Sequence, residues 1–131
     1  VEALRSFGLA TGLAFQIQDD LLNLVGDAGD KDFRNDITEG KRTLVAVHAL
    51  EHAESETRRE LVEILRSGTQ DAALLEHAVK IFDETGSIAF AHDYALRLTE
   101  RAKEELSGIE LENDCRELLL SMADFFVERL S

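Results

Sequence analysis

Apolar residues Leu4, Phe7, Ala10, Leu13, Ala14, Ile17, Leu21 and Leu24 recur at steps of three and four, which predicts one amphipathic helix from Glu2 to Leu24. Gly8 and Gly12 share a face of that helix, and the missing side chains there favour close packing of a neighbouring helix. From Gly26 to Gly40 the periodicity stops, and the stretch reads as a long polar loop, the kind that compact domains carry for a use. A second helix is expected from Lys41 to about His52, buried through Leu44, Val45, Val47 and Leu50. Thr57 and Glu60 match a capping box for a third, ending at Gly68, with Leu61, Ile64 and Leu65 inward. Thr69 can cap a fourth, to about Glu84, that buries Leu74, Leu75, Ala78, Val79, Ile81 and Phe82 before Thr85-Gly86 stops it. Ser87 caps a fifth, to about Leu106, with a small-residue seam of Ala91, Ala95 and Ala102. A sixth covers Asn113 to Leu130, with Leu118, Leu119, Met122, Phe125, Phe126 and Leu130 inward.

Proline is absent from all 131 residues, so nothing punctuates these helices as it would a β-rich chain, and the expected fold class is all-α, a helical bundle forming one unit over 1–131. At 44% hydrophobic and 31% charged, the chain has material for a core and is not a disordered tail. Its 27 acidic and 14 basic side chains give a formal net charge of −13, which argues against nucleic acid or an anionic membrane surface as a partner. A phosphate-bearing ligand must therefore be held by a local site, with a metal cation. The longest uncharged run, Ser6 to Gln18, is too short and too polar to span a membrane, and Cys115, the single cysteine, forms no internal disulfide. Cytoplasmic localisation is the expectation.

The richest local text is Phe15-Gln16-Ile17-Gln18-Asp19-Asp20-Leu21-Leu22-Asn23, at the C-terminal end of the first helix. Carboxylates there face the negative end of the helix dipole, so something must offset them. Helical spacing sets Gln16, Asp19 and Asn23 in one row with Asp20 about 100° round the axis, a row that can anchor a metal–diphosphate through a hard cation such as Mg²⁺. Lys31 and Lys41, two of only four lysines, flank the polar loop and are the natural diphosphate partners, with Gly40 allowing close backbone approach beside Lys41. His48 and His52 lack the acid and the third ligand of a zinc motif and read as structural or exposed; Cys115 reads as packing, and the glutamates between Glu51 and Glu63 as a solvated face.

The string from Phe15 to Asn23, followed by Gly26-Asp27, Lys31 with Asp36-Ile37, and Glu39-Gly40-Lys41-Arg42-Thr43-Leu44, resembles the trans-isoprenyl diphosphate synthases, and the likeness continues to the end of the chain. It matches only the C-terminal part of that family's all-helical isoprenoid-synthase fold, with the second of its two aspartate-rich motifs. The resemblance implies a Mg²⁺-dependent prenyltransferase that joins isopentenyl diphosphate to an allylic diphosphate, works as a homodimer, makes a short-chain product, and is inactive as this piece alone. It further implies Asp19 as a direct Mg²⁺ ligand, Asp20 as a water-mediated one, and Asn23 at the third corner, where the family has an aspartate. On the same basis Lys31 and Lys41 hold the allylic diphosphate, Gln16 faces the reacting carbons and diphosphate, Phe15 lines the cavity, and Asp36 orders the loop or its metal-bound waters. Arg34 stands where the family usually has glycine. A non-catalytic helical subunit that regulates a complete synthase is the rival reading. A terpene cyclase of the same fold would need an Asn/Asp, Ser, Glu motif that this chain lacks.

Composition generates one prediction. Carboxylates crowded at −13 repel one another at low ionic strength, and screening, with a Debye length of ~10 Å at 0.1 M and ~3 Å at 1 M, relieves that repulsion. The melting temperature is expected to rise between 0.05 and 2 M KCl, as in a salt-tolerant protein; a flat or falling curve in thermal melts would contradict this.

Overall fold

The computed structural model describes residues 2–25, 34–107 and 113–128, and among these it shows seven α-helices and no strand. They are α1 (Glu2–Val25), α2 (Asn35–Glu39), α3 (Leu44–His52), α4 (Ser55–Ser67), α5 (Ala72–Glu84), α6 (Ser87–Ser107) and α7 (Asn113–Glu128). The chain divides into two compact units, one of Val1–Asp19 with His92–Ser131 and one of Asp20–Ala91.

In the first unit, the start of α1, the body of α6, and α7 meet around buried Phe7, Ala102, Leu106 and Ala123, with Leu4, Ala10, Leu119 and Leu120 packed against them. Ala95 and Ala102 of α6 are fully buried, as is Ala91, the three alanines of the predicted small-residue seam. Thr11 and Thr99, both buried, return their hydroxyls to the carbonyls of Phe7 and Ala95 one turn back, so neither leaves an unpaired donor in the core. Three expectations fail here. Leu118, Met122 and Phe125 are exposed, at 61%, 46% and 57%, because α7 packs through the neighbouring Leu119, Leu120 and Ala123 instead. A Cβ built at Gly8 or Gly12 meets nothing within 4 Å, so no described neighbour uses the space those glycines leave. Cys115 is likewise exposed and not part of the packing. The side chain of Phe126, and Leu130 with it, lie outside the described residues.

The second unit is built from short helices joined by tight caps. Thr43 accepts the Ala46 N–H at 3.1 Å and caps α3, which begins at Leu44, three residues later than the pattern suggests. Residue Ser55, behind Glu54, opens α4, which places Thr57 inside the first turn and not at the cap. Asp71 caps α5 through the Ala73 N–H at 2.9 Å, while Thr69 accepts the Asp71 N–H at 3.0 Å in the turn just before it. The core holds Leu24, Ile37, Val45, Ala49, Leu61, Ile64, Leu75, Ala78, Ile81 and Phe82; Val47 and Leu74, expected inside, are exposed. The expected polar loop contains a helix that periodicity cannot show, because α2 has five residues and a single buried one, Ile37.

Gly40 ends α2 at φ +68°, and a Cβ there would stand 2.7 Å from the Leu65 carbonyl oxygen of α4. Gly86 also has a positive φ, +74°, yet its Cβ position is open. Gly40→Ala is therefore expected to cost about 2 kcal/mol or more and Gly86→Ala only about 1 kcal/mol, the left-handed backbone being the shared part of both. Urea unfolding of the two variants checks this, and equal losses would show that α2 and α4 do not make the close approach.

Candidate functional site

Asp20 is only 8% exposed although it is a carboxylate near the end of α1. Its Oδ1 accepts a hydrogen bond from the Lys41 ammonium at 2.9 Å, and Asp36 Oδ2 lies 3.9 Å from the same nitrogen. The hydrogen bond from Lys41 to Asp20 and the charge of Asp20 hold the Lys41 pKa above its ordinary value of 10.5, with Asp36 and Glu39 adding to the effect against a cost of burial. Leu24, Ile37, Ala46, Leu65 and Phe82 line, together with Asp36 and Lys41, a void of only about 10 Å³, so these two charges border a packed apolar floor where their attraction is less screened than in water.

The backbone that presents Lys41 is fastened to α1. Asn23 Oδ1 accepts the Asp36 N–H at 3.1 Å, supplying from outside the cap that α2 lacks at its own start. The Arg34 N–H donates to the Asn23 carbonyl at 2.8 Å, and its Nε to the Leu24 carbonyl at 3.1 Å. At the far end the Lys41 N–H returns to the Asp36 carbonyl at 2.9 Å, and Thr38 Oγ1 donates to the Thr69 carbonyl at 2.8 Å.

Among the residues singled out in the sequence, then, Asp20, Asn23, Asp36 and Lys41 come together within one unit. Phe15, half-buried, and Gln16 and Asp19, both exposed, belong to the other unit, and Lys31 lies outside the described residues. Lys41, expected to serve a diphosphate, is held by a carboxylate in this structure. Among the described residues no cluster of three or more His, Cys, Asp or Glu is placed to hold a metal ion. The residue that sequence reasoning undervalued is Arg34, whose signals are a place where the family usually has glycine and a basic side chain beyond a helix end, where unpaired carbonyls wait.

His48 and His52 have the structural role expected of them. His48 Nδ1 lies 2.7 Å from the hydroxyl of fully buried Ser87, which is 2.7 Å from Thr85 Oγ1, and the ring stacks between His52 at 4.0 Å and Phe90 at 4.3 Å. Burial pushes the His48 pKa below 6.5, with His52 adding to the effect.

Residues 1–82 match the family model of the polyprenyl synthetases. A short chain isoprenyl diphosphate synthase of Methanothermobacter thermautotrophicus is 44% identical over 98% of the chain, which corresponds to 39% of that protein. The crystal structure of a decaprenyl diphosphate synthase from Rhodobacter capsulatus superposes with a TM-score of 0.88 at 30% identity, over 99% of this chain and 40% of the other. A geranylgeranyl pyrophosphate synthase from Corynebacterium glutamicum, solved with isoprenyl diphosphate and magnesium, gives a TM-score of 0.82 at 28% identity, over 98% and 37%. The chain thus spans about two fifths of the length of the proteins it matches.

The raised pKa of Lys41 fixes a sign. A lysine whose pKa is higher folded than unfolded stabilises fully below 10.5 and loses that contribution as pH rises through the folded value. Subtracting the unfolding free energy of Lys41→Met from that of the parent is expected to give a constant from about pH 7 to 10 and a decline above it. A difference independent of pH up to about 12 would mean that Lys41 and Asp20 are not paired in solution.

Proposed function

Because the chain belongs to the polyprenyl synthetase family, we propose that it is the part of a longer isoprenyl diphosphate synthase that carries the second aspartate-rich motif. The complete enzyme condenses isopentenyl diphosphate with an allylic diphosphate head to tail, and makes a short-chain product such as farnesyl or geranylgeranyl diphosphate. The observation that carries this reading is the Lys41 ammonium held at 2.9 Å from a nearly buried Asp20 above an apolar floor. A cation kept charged by a carboxylate beneath it, and 43% exposed above, is built to receive an anion.

In this reading Lys41 takes oxygens of the allylic diphosphate while Asp20 and Asp36 fix the direction of its ammonium. Lys31 supplies a second cation, and Gln16 and Phe15, on α1, meet the substrate as a polar and an apolar contact. The donor set suits Mg²⁺, a hard cation that takes one or two carboxylates and fills the rest of its octahedron with water and phosphate oxygen. Asp19, exposed on α1, would hold it directly and Asp20 through water, and Asn23 would offer a neutral amide whose Oδ1 also accepts the Asp36 N–H. Bound there, the ion would neutralise charge on the departing diphosphate. The presence of magnesium in the Corynebacterium relative supports this assignment. The reading places the complete enzyme in the cytoplasm as a homodimer.

Single substitutions in the complete enzyme test the assignment. Asp19→Ala is expected to lower kcat by about a hundredfold or more, and Asp20→Ala by only about tenfold, because only the first removes a direct anchor for the metal. Calorimetric titration with Mg²⁺ in the presence of a non-hydrolysable allylic diphosphate analogue gives an independent reading, in which Asp19→Ala weakens binding more than Asp20→Ala. Small and equal effects in both measurements would remove the metal assignment.

A further inference from the structure

Arg34 is the one described residue other than glycine with a positive φ, +59°. A side chain in this left-handed conformation costs about 1–2 kcal/mol that glycine would not. Such an outlier directs attention to what its side chain does. The Arg34 guanidinium, 13% exposed, donates through Nε to the Leu24 carbonyl at the end of α1 and through Nη1 to Glu76 Oε2 on α5 at 2.5 Å. The main-chain N–H of the same residue donates to the Asn23 carbonyl. One residue thus ties α1 to α5 at the point from which α2 leads to Lys41.

We infer that Arg34 is a positioning residue for diphosphate binding: by clamping the start of α2 to α1 and α5, it holds Lys41 in the direction that its anionic ligand requires. The inference rests on the assignment of Lys41 to the allylic diphosphate. Between Arg34 and Lys41 the chain is internally hydrogen-bonded, with Ile37 N–H on the Arg34 carbonyl at 3.1 Å, Gly40 N–H on Ile37 at 3.0 Å, and Lys41 N–H on Asp36 at 2.9 Å. A rotation at Arg34 therefore reaches the ammonium instead of being absorbed on the way. Arg34 does not itself touch the ligand in this scheme. Its loss should disturb the geometry around Lys41 and leave groups that serve the other substrate unaffected.

Arg34→Gly suits the left-handed backbone and removes the guanidinium, whereas Glu76→Ala deletes a 70%-exposed carboxylate and leaves the Arg34 backbone untouched. In steady-state kinetics of the complete synthase, Arg34→Gly is expected to raise KM for the allylic diphosphate about tenfold, with kcat and KM for isopentenyl diphosphate within about twofold of the parent. Glu76→Ala should raise the same KM about two- to threefold, and Arg34→Lys, which keeps a cation but has one nitrogen where Arg34 donates from two, should recover only part of the loss. If neither Arg34→Gly nor Glu76→Ala moves the allylic KM, or if both KM values rise alike, while Lys41→Ala still raises the allylic KM, the positioning role is wrong and the assignment of Lys41 stands. If Lys41→Ala leaves the allylic KM unchanged, that assignment falls. Should Arg34→Gly fail to fold, Glu76→Ala decides alone.

Discussion

Helix α1 ends with carbonyls that its own backbone cannot pair and with a carboxylate, Asp20, that the negative end of its dipole repels. Those two electrostatic problems share one solution. Arg34 takes the carbonyls of Asn23 and Leu24, and Lys41 takes Asp20, so two cations stand at the end of the helix where the dipole favours positive charge. Both cations come from one short stretch of chain folded back as α2, and the Asn23 side chain returns the favour by capping α2 at Asp36. The second unit is organised around this exchange of caps. The apolar contacts of Leu24 and Ile37 close it from below.

That architecture explains why the site was only partly legible from the sequence. Apolar spacing at three and four placed α1 and α3 to α7 within a few residues, because burial of a continuous face dominates the formation of long helices. Of the acid pair at the end of α1, Asp20 is nearly buried and meets a cation in Lys41, as its place against the helix dipole requires, whereas Asp19 is exposed. What spacing does not encode is which cation answers which anion. Lys41 stands out in the sequence as a cation beside the polar loop, but its pairing with Asp20 depends on the fold of α2, whose five residues carry too few apolar positions for any periodicity. Arg34 was harder still: the glycine usual at its position hints at a left-handed backbone, but nothing in the sequence says which carbonyls and carboxylate its side chain takes.

The misjudged apolar residues have a different cause. In α7 the consecutive Leu118, Leu119 and Leu120 put hydrophobic side chains on more than one face, and periodicity alone does not say which face finds a partner. Leu119 and Leu120 pack on the core of their unit, and Leu118, Met122 and Phe125, at steps of four and three, form a separate exposed stripe. Exposed Leu9 and Leu13 stand four apart on α1 beside the open Gly12. The chain spans about two fifths of the length of the relatives it matches, and a pattern of residues does not specify which apolar face of a helix is covered.

The double anchoring of α2 also sets a rule on chain length. One end is pinned to α1 by Arg34, and the other is wedged against the Leu65 carbonyl by Gly40, where a single methyl group would already collide. Adding or deleting one residue between those pins would turn everything beyond it by about 100° around the helix axis and carry the Lys41 ammonium away from Asp20. The span from Arg34 to Lys41 is consequently a fixed gauge within the fold. Natural or engineered insertions have to fall outside it, and a loop graft that preserves every side chain but changes this spacing would leave the charges present and out of register.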